Sequence, residues 1–179
     1  MINLQQNLSK RIITIECSDN KHFCDISRDN LGFLINSQLL YCCTLSRGMP
    51  HITPIMYYYE MNQCSLSFLI SKTSVKARNL RRNPFVSLTT DTTHPSNPLE
   101  NSGIMITAVT ELSDSWEDIS ECLERLRRRY SSHLIPMLVE TFASTNDLYV
   151  KAEIIRIVHW KGPFFERFEC PTRRLRFKI

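Results

Sequence analysis

Residues 65–90 read SLSFLISKTSVKARNLRRNPFVSLTT, and the order of elements within this stretch decides the fold. Leu66, Phe68 and Ile70 alternate with Ser67, Leu69 and Ser71, the pattern of a half-buried strand. Lys72 and Thr73 turn the chain. Ser74 is placed to cap a helix through Val75, Lys76, Ala77, Arg78, Asn79, Leu80 and Arg81. Asn83-Pro84 stops that helix, because proline pushes the residue before it out of the α region. Phe85 then begins a second strand. A helix N-terminus therefore opens at the end of a strand, with hydroxyls at Ser71, Thr73 and Ser74 and an ammonium at Lys76. Free backbone N–H groups, hydroxyls and a fixed cation suit a phosphate. The same turn also fits plain solvated surface, and these residues alone leave both readings open.

Working outward, the apolar run 39–45 reads as a buried strand, Ser46-Arg47-Gly48 as a turn and 51–60 as a return strand, together a hairpin. Pro50 and Pro54 sit near the start of the return strand, so part of its edge should lack a pairing partner. Ahead of the hairpin, residues 27–37 carry helical spacing. Beyond residue 90, the stretch 91–102 (DTTHPSNPLENS) is a long loop, and 103–112 alternates as a strand. Ser115-Trp116-Glu117-Asp118 resembles a capping box, and Ile119, Leu123, Leu126 and Tyr130 follow at helical spacing. Arg125 and Arg127–Arg129 fall near that helix's C-terminus, where cations complement the dipole, and read as a solvated basic end. Residues 131–142 contain Pro136 and read as a broken helix. Residues 147–160 form a long strand with Leu148, Val150, Ala152, Ile154, Arg156, Val158 and Trp160 on one face. Arg11-Ile12-Ile13-Thr14-Ile15 could form an extra strand.

The count is about six strands and two or three helices, with antiparallel hairpins dominant and no βαβ alternation. That pattern argues against a Rossmann sheet and fits a mainly β fold, a small antiparallel barrel with helices at its ends. Three segments follow: an N-terminal extension over 1–24, a domain over 25–160, and a basic, aromatic tail over 161–179 packed on or near the domain.

The order GMPHITPIMYYY, then FLISKTSVKARNLRRNPFVSLTTD, resembles the pyridoxamine 5′-phosphate oxidase-like, FMN-binding split-barrel family, which also includes enzymes using the deazaflavin F420. The resemblance rests on Gly48, Pro50, His51, Thr53 and Pro54, then Ser71, Lys76, Arg78, Asn79, Leu80 and Pro84. It implies a split β-barrel, a homodimer, and FMN (or F420) in clefts at the subunit interface. It implies that Lys76 holds the phosphate with Ser71 and Ser74 or Thr73 assisting. Thr53, Pro54 and Ile55 would lie on the strand beside the ring, with Tyr57 and its neighbours either ring contacts or core. The loop at His94–Pro98 and the strand end at His159-Trp160 are the expected contributions of the second subunit. Two departures weigh against vitamin B6 oxidation: the turn from Ser71 to Lys76 is one residue shorter than the oxidase pattern, with Val75 where the oxidases place an arginine, and the tail offers Arg173 and Arg174 without a following histidine.

The chain has 179 residues, a formal net charge of +4 and 42% hydrophobic residues, the profile of one globular domain. A mildly basic balance suits anionic ligands without requiring nucleic acid. Only 4 glycines argue against a Gly-rich nucleotide fold, and the 7 cysteines include no C-x-x-C pair. Reduced thiols and a polar start without an apolar signal segment point to a cytoplasmic protein. Cys17, His22 and Cys24 could supply three metal ligands but lack a partner pair, so no metal is expected. No run is long enough to span a membrane. No G-x-S-x-G motif or carboxylate pair stands out, so no catalytic residue is assigned. A flavin carries its own redox chemistry, and an enzyme built around one can lack an acid–base signature. The expected function is thus a flavin-dependent oxidoreductase acting on a small molecule. A non-catalytic flavin, F420 or haem binder of the same fold is the alternative. A nucleic-acid barrel ranks last, since the basic residues lack interleaved stacking aromatics outside the tail.

Overall fold

The structure, a computed structural model, describes residues 12–14, 21–22, 28–60, 63–130, 146–169 and 174–176. The expected broken helix at 131–142 lies outside them, as do Cys17 and Cys24 of the three-ligand reading. The expected hairpin forms from β3 (Leu40–Ser46) and β4 (Met49–Ile55). Its two-residue turn places Arg47 at φ 50° and Gly48 at φ 81°, the doubly left-handed geometry that matches the twist of paired strands. The organising stretch becomes β6 (Ser65–Ser71), α2 (Val75–Arg82) and β7 (Phe85–Thr92), with α1 (Arg28–Asn36) ahead of the hairpin. Next come a 3-10 turn at Pro98–Glu100, then β8 (Ser102–Ser113), α3 (Trp116–Arg129) and β9 (Asp147–Lys161).

The six expected strands are all present, but the return strand over 51–60 is broken. Its end, β5 (Tyr58–Glu60), is separated from β4 by Met56 and Tyr57. The break has a topological consequence. β4 pairs with β3 at one end of the sheet, whereas β5 pairs with β6, which pairs with β9. One segment of chain thus leaves one side of the sheet and joins the other without a continuous ladder, which is the split of a split barrel. β4 pairs with β3 alone, so Pro50 and Pro54 do fall on an edge strand, where a missing N–H interrupts no ladder.

Four short strands were not in the count of six. β1 (Ile12–Thr14) is the possible extra strand, and it pairs with β11 (Arg174–Arg176). β2 (Lys21–His22) lies parallel to β10 (Phe164–Glu169), and β10 forms a hairpin with β9. The main sheet has nine strands in the order β2-β10-β9-β8-β7-β3-β4, with β5 and β6 off that path. Residues 164–169, left in an irregular tail by the sequence reading, are therefore part of the sheet. Their run of Phe164, Phe165 and Phe168 among charges shows no clean alternation, which hid the strand.

Two apolar clusters lie on opposite sides of β6. Leu66, Phe68 and Ile70 enter the barrel core with Leu40, Ile55, Val86, Ile104 and Val150. On the other face Leu69 packs beneath α3 against Ile119, Cys122, Leu123 and Leu126. β6 is therefore buried on both faces rather than half-buried, because the amphipathic α3 covers the side that its serines had suggested was solvent. A second correction concerns β9. Its register with β8 shifts between Thr107 and Ala108, so that Thr107 faces Arg156 and Ala108 faces Ile154. The extra residue moves the core side from Ile154 to Ile157, as a bulge does. Val158 and Trp160 consequently share a face with Arg156 but not with the buried half of the strand.

Candidate functional site

The helix N-terminus at α2 is built as its residues dictate. Ser74 is the N-cap and accepts from the Ala77 amide at 3.1 Å, and Asn83 ends the helix. The Ser71 and Thr73 hydroxyls lie 3.0 Å apart, the Thr73 amide donates to Ser71 Oγ at 3.3 Å, and Asn146 donates to the same oxygen at 3.4 Å. The first turn of α2 carries no acidic residue, whereas that of α3 carries Glu117 and Asp118. α3 thus answers its own dipole, while α2 leaves its positive end for an external anion. Ala77, Asn79 and Leu80 are buried and fix the helix on β3. Asn79 Nδ2 donates to the Thr44 hydroxyl at 3.0 Å inside this contact.

Lys76, in the first turn, is half-buried, and no ion pair with a carboxylate forms at it among the described residues. Burial lowers its pKa below that of an ordinary lysine, while the neighbouring Cys42 acts in the opposite direction. The Cys42 thiol is itself pushed up to about 12 by burial and stays neutral. Lys76 is therefore a partly desolvated cation beside a neutral thiol, with no carboxylate partner among the described residues.

β4 runs alongside. Cys42 faces Thr53 and Thr44 faces His51 across the hairpin, so Thr53 and His51 share the face on which α2 packs. Thr53 Oγ1 and His51 Nδ1 are both buried without a hydrogen-bond partner. A buried polar atom left unpaired is costly, and two on one face of an edge strand beside an unpaired lysine fit a ligand with polar edges and a phosphate. His51 was quoted in the sequence motif but not proposed as a contact; its spacing of two from Thr53 on a strand is the signal that places both on one face.

The remaining expected residues divide. Ser71, Thr73, Ser74 and Lys76 come together. Ile55 shares Thr53's face but lies in the barrel core at 5% exposure. Pro54 turns to the opposite face, opposite Tyr41. Trp160 is not near Lys76 within one chain: Ser71 pairs with Asp147 at the start of β9, and Trp160 lies at its end, roughly 40 Å of strand away. Trp160 covers Gly103, where a Cβ would meet its ring at 2.8 Å. The His94–Pro98 loop is tied beside it. The His94 amide donates to Asn101 Oδ1 at 2.6 Å, and the Gly162 amide donates to the Asn101 carbonyl at 2.8 Å. The two segments expected from a second subunit are thus neighbours. Near them, a groove of about 640 Å³ opens between α1, the start of β3 and the end of β7, with Asn36, Gln38, Tyr41 and Asp91 on its walls.

Of the basic cluster on α3, Arg125 pairs with Glu60 and Glu121, and Arg127 with Glu124. Arg129 donates to the Leu34 and Ser37 carbonyls at 2.9 and 2.7 Å. Three of the arginines read as a solvated basic end, Arg125, Arg127 and Arg129, are thus paired within the protein.

Residues 28–159 match the pyridoxamine 5′-phosphate oxidase family, and the chain belongs to that family. Solved structures share the fold. A conserved hypothetical protein from Mycobacterium tuberculosis is similar at a TM-score of 0.62 and 21% identity, over 80% of this chain and 91% of that one. A heme binding protein from Mycobacterium smegmatis is similar at 0.64 and 13%, over 79% and 56%. An F420 reductase is similar at 0.51 and 14%, over 71% and 94%. No curated protein matches the sequence. Among the described residues no helix is long and apolar enough to cross a membrane, and no group of His, Cys, Asp or Glu is placed to hold a metal.

Proposed function

We propose that this protein binds FMN and works as a flavin-dependent oxidoreductase of the cytoplasm. The observation that carries the reading is Lys76, half-buried and without a carboxylate partner among the described residues, at the N-terminus of α2, whose first turn holds no acidic residue. Its ammonium would hold the phosphate, with hydroxyl donors from Ser71, Thr73 and Ser74. Thr53 Oγ1 and His51 Nδ1 would take polar atoms of the ring, and the outer edge of β4 at Pro54 and Ile55 would run beside it. When bound, the flavin supplies the redox chemistry; the protein's part is to hold it, orient it and shield it.

The same reading includes a homodimer. Leu39, Tyr41, Leu45, Ile52 and Met105 are exposed, with Ile52 at 63%. Tyr41, Thr89, Met105 and Val158 form one cross-strand row on this face, and the bulge in β9 turns Trp160 to the same side. Such an apolar patch is what a partner covers. In this reading a second copy seated there brings Trp160 and the His94–Pro98 loop toward the opposite Lys76 turn.

F420 also carries a phosphate, and its absorbance differs from that of FMN. A carrier of flavin or haem without turnover is the second reading, favoured by His51, whose buried free nitrogen could also face a metal centre. The test is the absorbance spectrum and mass of the small molecule released on denaturing the purified protein, followed by turnover with NAD(P)H. FMN with turnover supports the proposal. A protein that releases nothing and takes up neither FMN nor F420 overturns it.

A further inference from the structure

A second pocket, of about 310 Å³, lies between α3 and the sheet at the start of β6. None of Ser71, Thr73, Ser74 and Lys76 lines it. We infer that this pocket binds a small alkylammonium ligand, an organic cation carrying one or two primary amines.

Its walls hold four carboxylates, Glu60, Glu111, Asp118 and Glu121, against two cations, Arg125 and Lys151. Both cations are committed. Arg125 pairs with Glu60 and Glu121 and lies over the Tyr58 ring. Lys151 faces Glu111 across the β8–β9 ladder, yet its Nζ goes to Glu153 at 3.8 Å. Among the described residues no ion pair forms at Glu111 or Asp118, and Asp118 accepts the Ser113 hydroxyl. The pocket thus keeps two carboxylates without cations.

A separate observation points to a ligand. Ser65 lines the pocket at 1% exposure, and its hydroxyl has no hydrogen-bond partner. A buried hydroxyl without a partner is costly, and at Ser65 the pocket is where a partner can enter. A bare metal ion does not fit, because no three acidic groups converge on one point among the described residues. An ammonium on a short carbon chain does. Its N–H groups can reach Glu111, Asp118 and Ser65, and its methylenes can lie along Leu112 and Tyr149. Burial pushes the Tyr149 phenol up to about 12, aided by the surrounding acids, so that wall stays neutral. The volume is at the small end for organic ligands.

The experiment is calorimetric titration of the full-length protein with putrescine, using butanediol and succinate as uncharged and anionic counterparts. Saturable single-site binding of putrescine alone is expected, weakened about tenfold by Glu111→Gln or Asp118→Asn and a few-fold by Ser65→Ala. Lys76→Ala leaves it unchanged, which separates this site from the flavin reading. Absence of saturable heat with putrescine overturns the inference. So does equal affinity in wild type and both acidic-residue variants, or equal binding of butanediol.

Discussion

The guanidinium of Arg129 lies 4.3 Å from the centre of the Tyr57 ring, and both side chains end on the same two carbonyls. The Tyr57 hydroxyl lies 2.9 Å from the Leu34 carbonyl and 3.1 Å from that of Ser37, the two that Arg129 also reaches. These carbonyls lie at the end of α1, where a helix leaves its last acceptors unpaired. Tyr130 completes the set by accepting from the Tyr57 amide at 3.0 Å and lying 2.8 Å from the Gln38 carbonyl. The latch sits where β4 and β5 part, so it holds with side chains the point at which the barrel ladder is broken.

Removing Arg129 leaves two carbonyls short of a charged donor and loses a cation–π contact. Arg129→Ala should therefore destabilise the protein by about 2–4 kcal/mol. Tyr57→Phe, which keeps the ring, should cost about 1 kcal/mol, and the two effects should not add because the acceptors are shared. Urea unfolding of both single variants and the double variant checks this. Strict additivity would mean that the two side chains act separately.

The latch also shows the limit of reading this chain from its sequence. The order of strands and the cap at Ser74 follow from local spacing and turn chemistry, so they are legible. The role of Arg129 is not, since its acceptors lie more than ninety positions away, at Leu34 and Ser37. The bulge in β9 is hidden for a related reason: Ile154, Ile155 and Ile157 are equally apolar, and only pairing with β8 decides which turns inward. Ser115 is the N-cap of α3, as the capping-box pattern suggests, but it makes no side-chain cap bond: Asp118 takes the Ser113 hydroxyl, which accepts from the Ser115 amide at 3.2 Å. The cluster of Ser71, Thr73, Ser74 and Lys76 is legible because it lies within one short stretch. The orphan atoms of Thr53 and His51 are not, because their burial depends on tertiary packing that the alternation of a strand does not encode.

Burial raises several acids. Cys42 and Cys122 move from 9.0 to about 12, and Tyr57 and Tyr149 from 10.0 to about 12. A folded pKa above the unfolded one means that the folded state keeps protons the unfolded state has lost. This stabilisation is fully present below pH 9 and is lost as pH rises toward 12. Urea midpoints should stay level across neutral pH with respect to these groups and fall above about 9. Tyr149→Phe should flatten the fall. A midpoint that rises through this alkaline range would contradict the burial described for these groups.

The uncovered face of β3 and β4 should be the dimer contact. Ile52 is 63% exposed at its centre, and Ile52→Asp places a charge where an apolar partner would desolvate it, at a cost of several kcal/mol. Sedimentation should show a dimer for wild type and a monomer for Ile52→Asp, with FMN affinity reduced in the monomer because the second subunit's contacts are gone. A wild type that is monomeric over a wide concentration range would remove the dimer from the proposal.

The most direct measurement is titration of wild type and Lys76→Ala with FMN and with riboflavin, which has the same ring and no phosphate. One charge-assisted hydrogen bond contributes about 1.5–3 kcal/mol, and 1.4 kcal/mol is about tenfold in affinity. Lys76→Ala should weaken FMN by roughly ten- to a hundredfold and leave riboflavin nearly untouched, with the fold intact by circular dichroism. Equal losses for both ligands, or no loss for either, would contradict the placement of the phosphate at the start of α2.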